Sequence, residues 1–270
     1  MSTLYAGYGA IALYIFAFFY QAQKVRAASH SNSSSPLRKE WLLAMCGLAI
    51  ATHGLAAWQL LASANGLDLS LWRVSAAIFF VVNLIVLLSS LRKPSHNLFL
   101  FLLPITVPVL AIALISSAGS AQSKPGTGAV VHILSSILAY SLLTIAAFQA
   151  MLLAYQNWQL RHKHLKGWVR ALPPLQTMEA LLFEVLWAGV LLLTLSLISG
   201  FAVFEDLFGQ NLGHKTAFSL IAWLIYAILL WGRHVKGWRG NTAIRWTLIG
   251  FIATALAYWG SKFVYEVLLV

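Results

Sequence analysis

Residues Leu182–Gly200 read LFEVLWAGVLLLTLSLISG. The stretch is 19 residues long and holds one charged side chain, Glu184. As a helix it extends roughly 28 Å at 1.5 Å per residue, which is enough to cross a hydrocarbon layer about 30 Å thick. It is continuously apolar, whereas a membrane barrel strand alternates between apolar and polar residues. Working outward, the chain holds eight such segments: Leu4–Ala22, Glu40–Leu61, Leu69–Leu91, Asn97–Ser117, Ala129–Trp158, Gln176–Val203, Lys215–Arg233 and Ala243–Leu268. The expected fold is therefore all-α, a polytopic transmembrane bundle of about eight helices, with strands improbable as the spanning segments. Residues 1–270 form a single integral membrane domain, because little polar sequence remains for a soluble one. Composition agrees. The 270 residues are 60% hydrophobic and 9% charged, against roughly 45–50% and about 25% in soluble domains.

A net charge of +11 raises the question of nucleic acid, and the positions of the charges answer it. Fourteen of the 18 Lys and Arg fall in or beside alternate connections: Lys24, Arg26, Arg38 and Lys39; Arg92 and Lys93; Arg161, Lys163, Lys166 and Arg170; Arg233, Lys236, Arg239 and Arg245. The other connections carry Asp68, Glu205 and Asp206. This is the positive-inside asymmetry. It predicts a bacterial inner-membrane protein with basic loops in the cytoplasm, beside anionic lipid headgroups, and with both chain ends on the outer, periplasmic side. The bilayer is the partner the charge implies, not nucleic acid. Lys24 is the first basic residue, so the opening segment reads as a retained helix rather than a signal peptide. Cys46 is the only cysteine, which excludes an intrachain disulfide and a CxxC redox pair.

Between the spans, Ser29–Pro36 (SHSNSSSP) is a polar run with nothing to bury. Residues His162–Pro174 mix basic side chains with Leu165, Trp168, Val169 and Leu172, a pattern that suits an amphipathic piece on the cytoplasmic interface. Pro104 and Pro108 are expected to kink the fourth helix. Gly189, Gly200, Gly250 and Gly260 offer close helix contacts.

Ionisable residues inside a membrane are costly and mark functional sites first. His53 lies 12 residues after Trp41, roughly 18 Å along its helix, which puts it in the outer half of the bilayer. His132 lies near the outer start of the fifth helix. The two are expected to approach one outward-facing cavity, where neutral imidazole is a good haem-iron ligand. For each, the alternative is a histidine hydrogen-bonded to a neighbouring helix. His30, His96, His162 and His164 fall in or beside basic loops and read as solvated. His214, beside Lys215, reads as a cap or interface residue, and His234 as a headgroup neighbour. Glu179 opens the sixth helix, where its charge favours the helix dipole. Glu184 lies deeper, with Arg233 or Arg245 its expected partner and a proton or cation path the alternative. Asn83 reads as packing glue between helices. No P-loop, GxSxG or HExxH occurs, so the sequence offers little support for an enzyme.

Gly128–Tyr140 (GAVVHILSSILAY), Leu182–Gly200 as quoted, Ala222–Gly240 (AWLIYAILLWGRHVKGWRG) and Tyr258–Gly260 (YWG) resemble, in that order, the last helices of cytochrome c assembly proteins of the CcsA type. The resemblance covers residues 40–262 approximately and is most specific from 128 to 260, with the YpjD-type and HemX-type branch nearest. It implies a membrane protein that handles haem at the outer face, with haem b as cofactor. Members use a buried histidine pair, an outer histidine pair and a WGxxWxWD segment. By resemblance His53 takes the place of the first buried histidine and His132 that of the first outer one, making both candidate haem-iron ligands. Trp231 stands where the second buried histidine would be, no second outer histidine follows, and Phe204–Trp223 carries no WGxxWxWD. The reading this leaves is a haem-binding or haem-handling protein with an incomplete histidine set. The alternative is a non-catalytic accessory subunit of a second inner-membrane protein, such as a transporter, without haem.

Overall fold

A helix satisfies its backbone N–H and C=O groups within the segment, which is what a continuous apolar run needs where water is absent. The computed structural model describes residues 2–30, 38–63, 66–116, 122–162, 172–203 and 213–263. These form α1 (Ser2–His30), α2 (Lys39–Leu61), α3 (Leu71–Arg92), α4 (Phe99–Ile115, preceded by a 3₁₀ turn at His96–Leu98), α5 (Thr127–Arg161), α6 (Leu175–Val203), α7 (Gly213–Lys236) and α8 (Asn241–Ala255). Among the described residues, seven helices, α1 to α7, are each long and apolar enough to cross a membrane. The expected eighth segment is not a uniform helix. After α8 the chain runs directly through a π-helical stretch, Leu256–Gly260, into a last helical turn, Ser261–Phe263. The polar run at 31–37, most of the amphipathic piece (163–171) and the acidic pair Glu205 and Asp206 lie outside the described residues.

The all-helical bundle also carries one small sheet. Three short pieces, β1 (Ala62–Ser63), β2 (Gly66–Asp68) and β3 (Gln122–Ser123), pair antiparallel in that order. They lie outside the spans, where the α2–α3 and α4–α5 connections run side by side and exchange backbone hydrogen bonds. Apolar periodicity says nothing about such connections. Asp68 anchors this patch. It is fully buried, accepts the Ser70 N–H at 3.0 Å and pairs with Arg73 at 2.9 Å, while Arg73 also donates to the Leu60 carbonyl at 2.8 Å.

The helices pack as two groups. Helices α1 to α4 pack on one another, α5 to α8 do the same with α5 against α6 as the most extensive pair, and α3 against α5 joins the groups. Polar side chains fasten chosen pairs. Asn83 Nδ2 donates to Thr106 Oγ1 at 2.8 Å, which places Asn83 in the packing role expected of it, between α3 and α4. Helix α4 stays helical through Pro104 and Pro108. Small residues let backbones approach: a Cβ at Gly250 would lie 2.7 Å from the Tyr226 ring. Large apolar side chains such as Leu48, Leu55, Leu191, Ile198, Ile249 and Ile252 are exposed on the outside, as a bundle solvated by lipid requires.

Candidate functional site

A cavity of about 390 Å³ opens near the end of the bundle that carries the small sheet. That volume lies within the range of small-molecule sites, roughly 300–1,000 Å³. Its walls come from the start of α5, the end of α6, the start of α7, the π segment after α8, and Val74 and Ile78 of α3. Most of the surface is aliphatic. The polar groups in it are His132, Ser136, Ser196, Thr216, Ser219, two tyrosines and two lysines, Lys215 and Lys262. The π segment presents Tyr258 to the cavity while the next residue, Trp259, donates its indole N–H to Ser75 Oγ of α3 at 2.9 Å. A π stretch shifts the angular position of successive side chains, and such bulges recur at functional sites.

His132 is held in the wall by α6. Its Nδ1 lies 2.8 Å from the Ser196 carbonyl oxygen, and Ser136 Oγ bridges the same two helices through Ser196 Oγ at 2.6 Å. A carbonyl only accepts, so Nδ1 carries a proton and donates it to this oxygen. A bond from one ring nitrogen to a backbone carbonyl orients an imidazole in the way that metal-ligating histidines are held. Gly200 makes the approach feasible: a Cβ there would meet the His132 ring at 3.0 Å. Gly200 thus serves the close contact expected of it, and its partner is this ring.

His53 is elsewhere. The expected meeting of the two histidines in one cavity does not occur, because His53 is absent from the cavity wall. It is fully buried in α2, with Nδ1 3.1 Å from Tyr14 Oη of α1 and Phe80 of α3 edge-on to its ring at 5.9 Å between centroids. Its Nε2 makes no hydrogen bond of good geometry, although the ring interacts with the Ala76 backbone. The two histidines sit in different helix groups, His53 on α2 against α1 and α3 and His132 on α5 against α6, and uniformly apolar helices give no sequence signal for which of them pack together.

The acidic residues also exchange partners relative to expectation. Arg233 pairs with Glu179 at 2.8 Å, and Glu179 also accepts the Gly240 N–H at 3.1 Å. Gly237 and Gly240 hold φ of 67° and 57°, conformations that glycine adopts at little cost, and so the turn between α7 and α8 can fold back onto α6. Glu184 pairs instead with Lys93 at the end of α3, at 2.5 Å. His214 is exposed in the first turn of α7, and Trp231 points outward. The two lysines, Ser136 and Ser196 were not legible as site residues. The one signal that could have pointed to Lys215 and Lys262 is the rarity of lysine within apolar sequence.

A family model described as cytochrome C assembly protein matches residues 41–269. The chain belongs to the cytochrome c assembly protein family. It is 33% identical over 214 residues to the inner membrane protein YpjD of Escherichia coli strain K12, covering 76% of this chain and 78% of that one. An Azospirillum brasilense protein of 28.8 kDa is 32% identical over 232 residues, 82% and 84% of the two chains. The cytochrome c biogenesis protein CcsA of Chlamydomonas reinhardtii is 25% identical over 140 residues, 51% of this chain and 38% of CcsA. No solved structure matches. The cytochrome c assembly region spans α2 to the turn after α8, and so contains every residue that lines the cavity.

Proposed function

We propose that this membrane protein of the cytochrome c assembly family binds haem in the cavity between α3, α5, α6, α7 and the π segment, with His132 as ligand to the iron. One observation carries the reading: a ligand-sized, largely aliphatic cavity is walled by an imidazole whose Nδ1–H is tied to a backbone carbonyl at 2.8 Å. The donor set suits the group. Haem needs apolar walls for its ring and a neutral imidazole for its iron. When bound, haem b would supply the iron centre that cytochrome maturation delivers; His132 holds it, Ser196 orients His132, and the aliphatic wall excludes water. His53 stays in the proposal as a second candidate ligand, supported by its complete burial among apolar helices.

The relative YpjD is an inner membrane protein, and we place this chain in the same membrane. The clustering of basic residues supports cytoplasmic loops after α1, α3, α5 and α7, with the cavity opening to the outer side. The test is the absorbance of the detergent-purified protein. A Soret band present in the wild type and in His214→Ala, and lost in His132→Ala, is the expected outcome. Equal pigment in the two variants would remove His132, and a band lost only in His53→Ala would move the ligand to α2. A colourless protein that copurifies in fixed ratio with another membrane protein would favour the accessory-subunit reading.

A further inference from the structure

The cavity has a polarity that ligation by His132 leaves unexplained. Of its described lining residues, none is acidic and two are lysines. Lys215 is the third residue of α7, inside the first turn, where the helix dipole disfavours a cation and favours an anion. Its Nζ stands over the Tyr258 ring, 6.0 Å from the centroid. Thr216, next to it, also lines the cavity, so the amino end of α7 and an ammonium share one side of it. Lys262 reaches the same cavity from the turn beyond the π segment and donates to the Leu69 carbonyl. That bond fixes the direction of the side chain. A helix amino end combined with ammonium groups is an arrangement that binds anions. His132, by contrast, is on α5 and sits against α6.

We infer that Lys215 and Lys262 recognise the acid groups of the cavity's ligand, so that the site selects an amphipathic dianion with an apolar body. The inference rests on the haem reading above and sharpens it: the species taken is the porphyrin with both propionates ionised, anchored by lysine at its edge and by His132 at its metal. Neither lysine touches the iron. They are binding residues, and they decide which way the ring faces.

The test is titration of the full-length, detergent-purified protein with iron protoporphyrin IX and, separately, with its dimethyl ester, followed by absorbance. Wild type should prefer the free diacid by about tenfold or more, the worth of one charge-assisted hydrogen bond or slightly more. Lys215→Gln/Lys262→Gln should lose roughly ten- to a hundredfold in affinity for the diacid. It should keep its affinity for the ester and the wild-type spectrum of the ligated iron. Lys215→Arg/Lys262→Arg should restore diacid binding. The inference is overturned if the glutamine variant binds the diacid as wild type does, or if it loses both porphyrins equally. A wild type that binds neither porphyrin would overturn the haem reading and this inference together. Binding without lysine dependence would overturn this inference alone.

Discussion

At the scale of single residues, two positions turn geometry into measurable quantities. Gly200 lies where a methyl group would come within 3.0 Å of His132 Cε1 and 3.1 Å of Nδ1. Gly200→Ala therefore displaces the ring from the Ser196 carbonyl, and haem affinity is expected to fall roughly fivefold, about the worth of one neutral hydrogen bond. Spectral titration checks it, and unchanged affinity would mean that the ring position does not matter. Tyr14 and His53 make the second case. Tyr14→Phe leaves Nδ1 of a fully buried imidazole without its partner, at a cost of about 1–3 kcal/mol. Removing both polar groups together, in Tyr14→Phe/His53→Leu, is expected to cost less than the sum of the single changes by about 1 kcal/mol. Unfolding in detergent measures this cycle, and strict additivity would show that the pair is not coupled.

At the scale of elements, the structure depends on how helix ends are tied. Asp68 is buried against Arg73 and the start of α3, and through Arg73 it reaches the last turn of α2. Asp68→Asn removes the charge and leaves a guanidinium that is 13% exposed without its counter-ion. The expected loss is on the order of 3 kcal/mol, as for other broken buried pairs. Glu184→Gln should cost far less, since Glu184 and Lys93 are 58% and 41% exposed and a lysine at a helix end can turn towards the headgroups. A fall in unfolding temperature as large for Glu184→Gln as for Asp68→Asn would contradict this ranking. The π segment belongs to the same scale. It points Tyr258 into the cavity and Trp259 at α3, so one short irregularity serves both the site and the packing between the two helix groups.

At the scale of the whole molecule, the orientation proposed from the charge asymmetry also sets the side to which the cavity would open. Cys46 is the only cysteine and is fully buried, so engineered thiols report against a silent background. Lys124→Cys, beside the small sheet, is expected to react with an impermeant maleimide added to intact cells. Arg239→Cys, in the turn between α7 and α8, should react only after permeabilisation. The reverse pattern would turn the bundle over and open the cavity to the cytoplasm. The number of helices and their approximate positions were legible because about 20 apolar residues in a row satisfy their backbone only as a helix in lipid. His132 stood out as a candidate because an imidazole among apolar residues is costly, and the structure places it in the cavity wall.

By itself the sequence determined a helical membrane bundle, the asymmetry of its charge, its family resemblance and the two histidines that stand out. The tertiary structure alone decided that His132 faces a cavity while His53 is sealed against Tyr14, that Arg233 belongs to Glu179 and Lys93 to Glu184, and that Lys215 and Lys262, 47 positions apart by their numbering, line one space. The physical reason is common to all of these. An apolar helix is specified by length and hydropathy, which are sums along the chain, but its rotation and neighbours are set by packing at small residues and a few polar contacts. In a bundle solvated by lipid on its outside, an apolar side chain is accommodated on either face, and hydrophobicity leaves little trace of which way a helix turns.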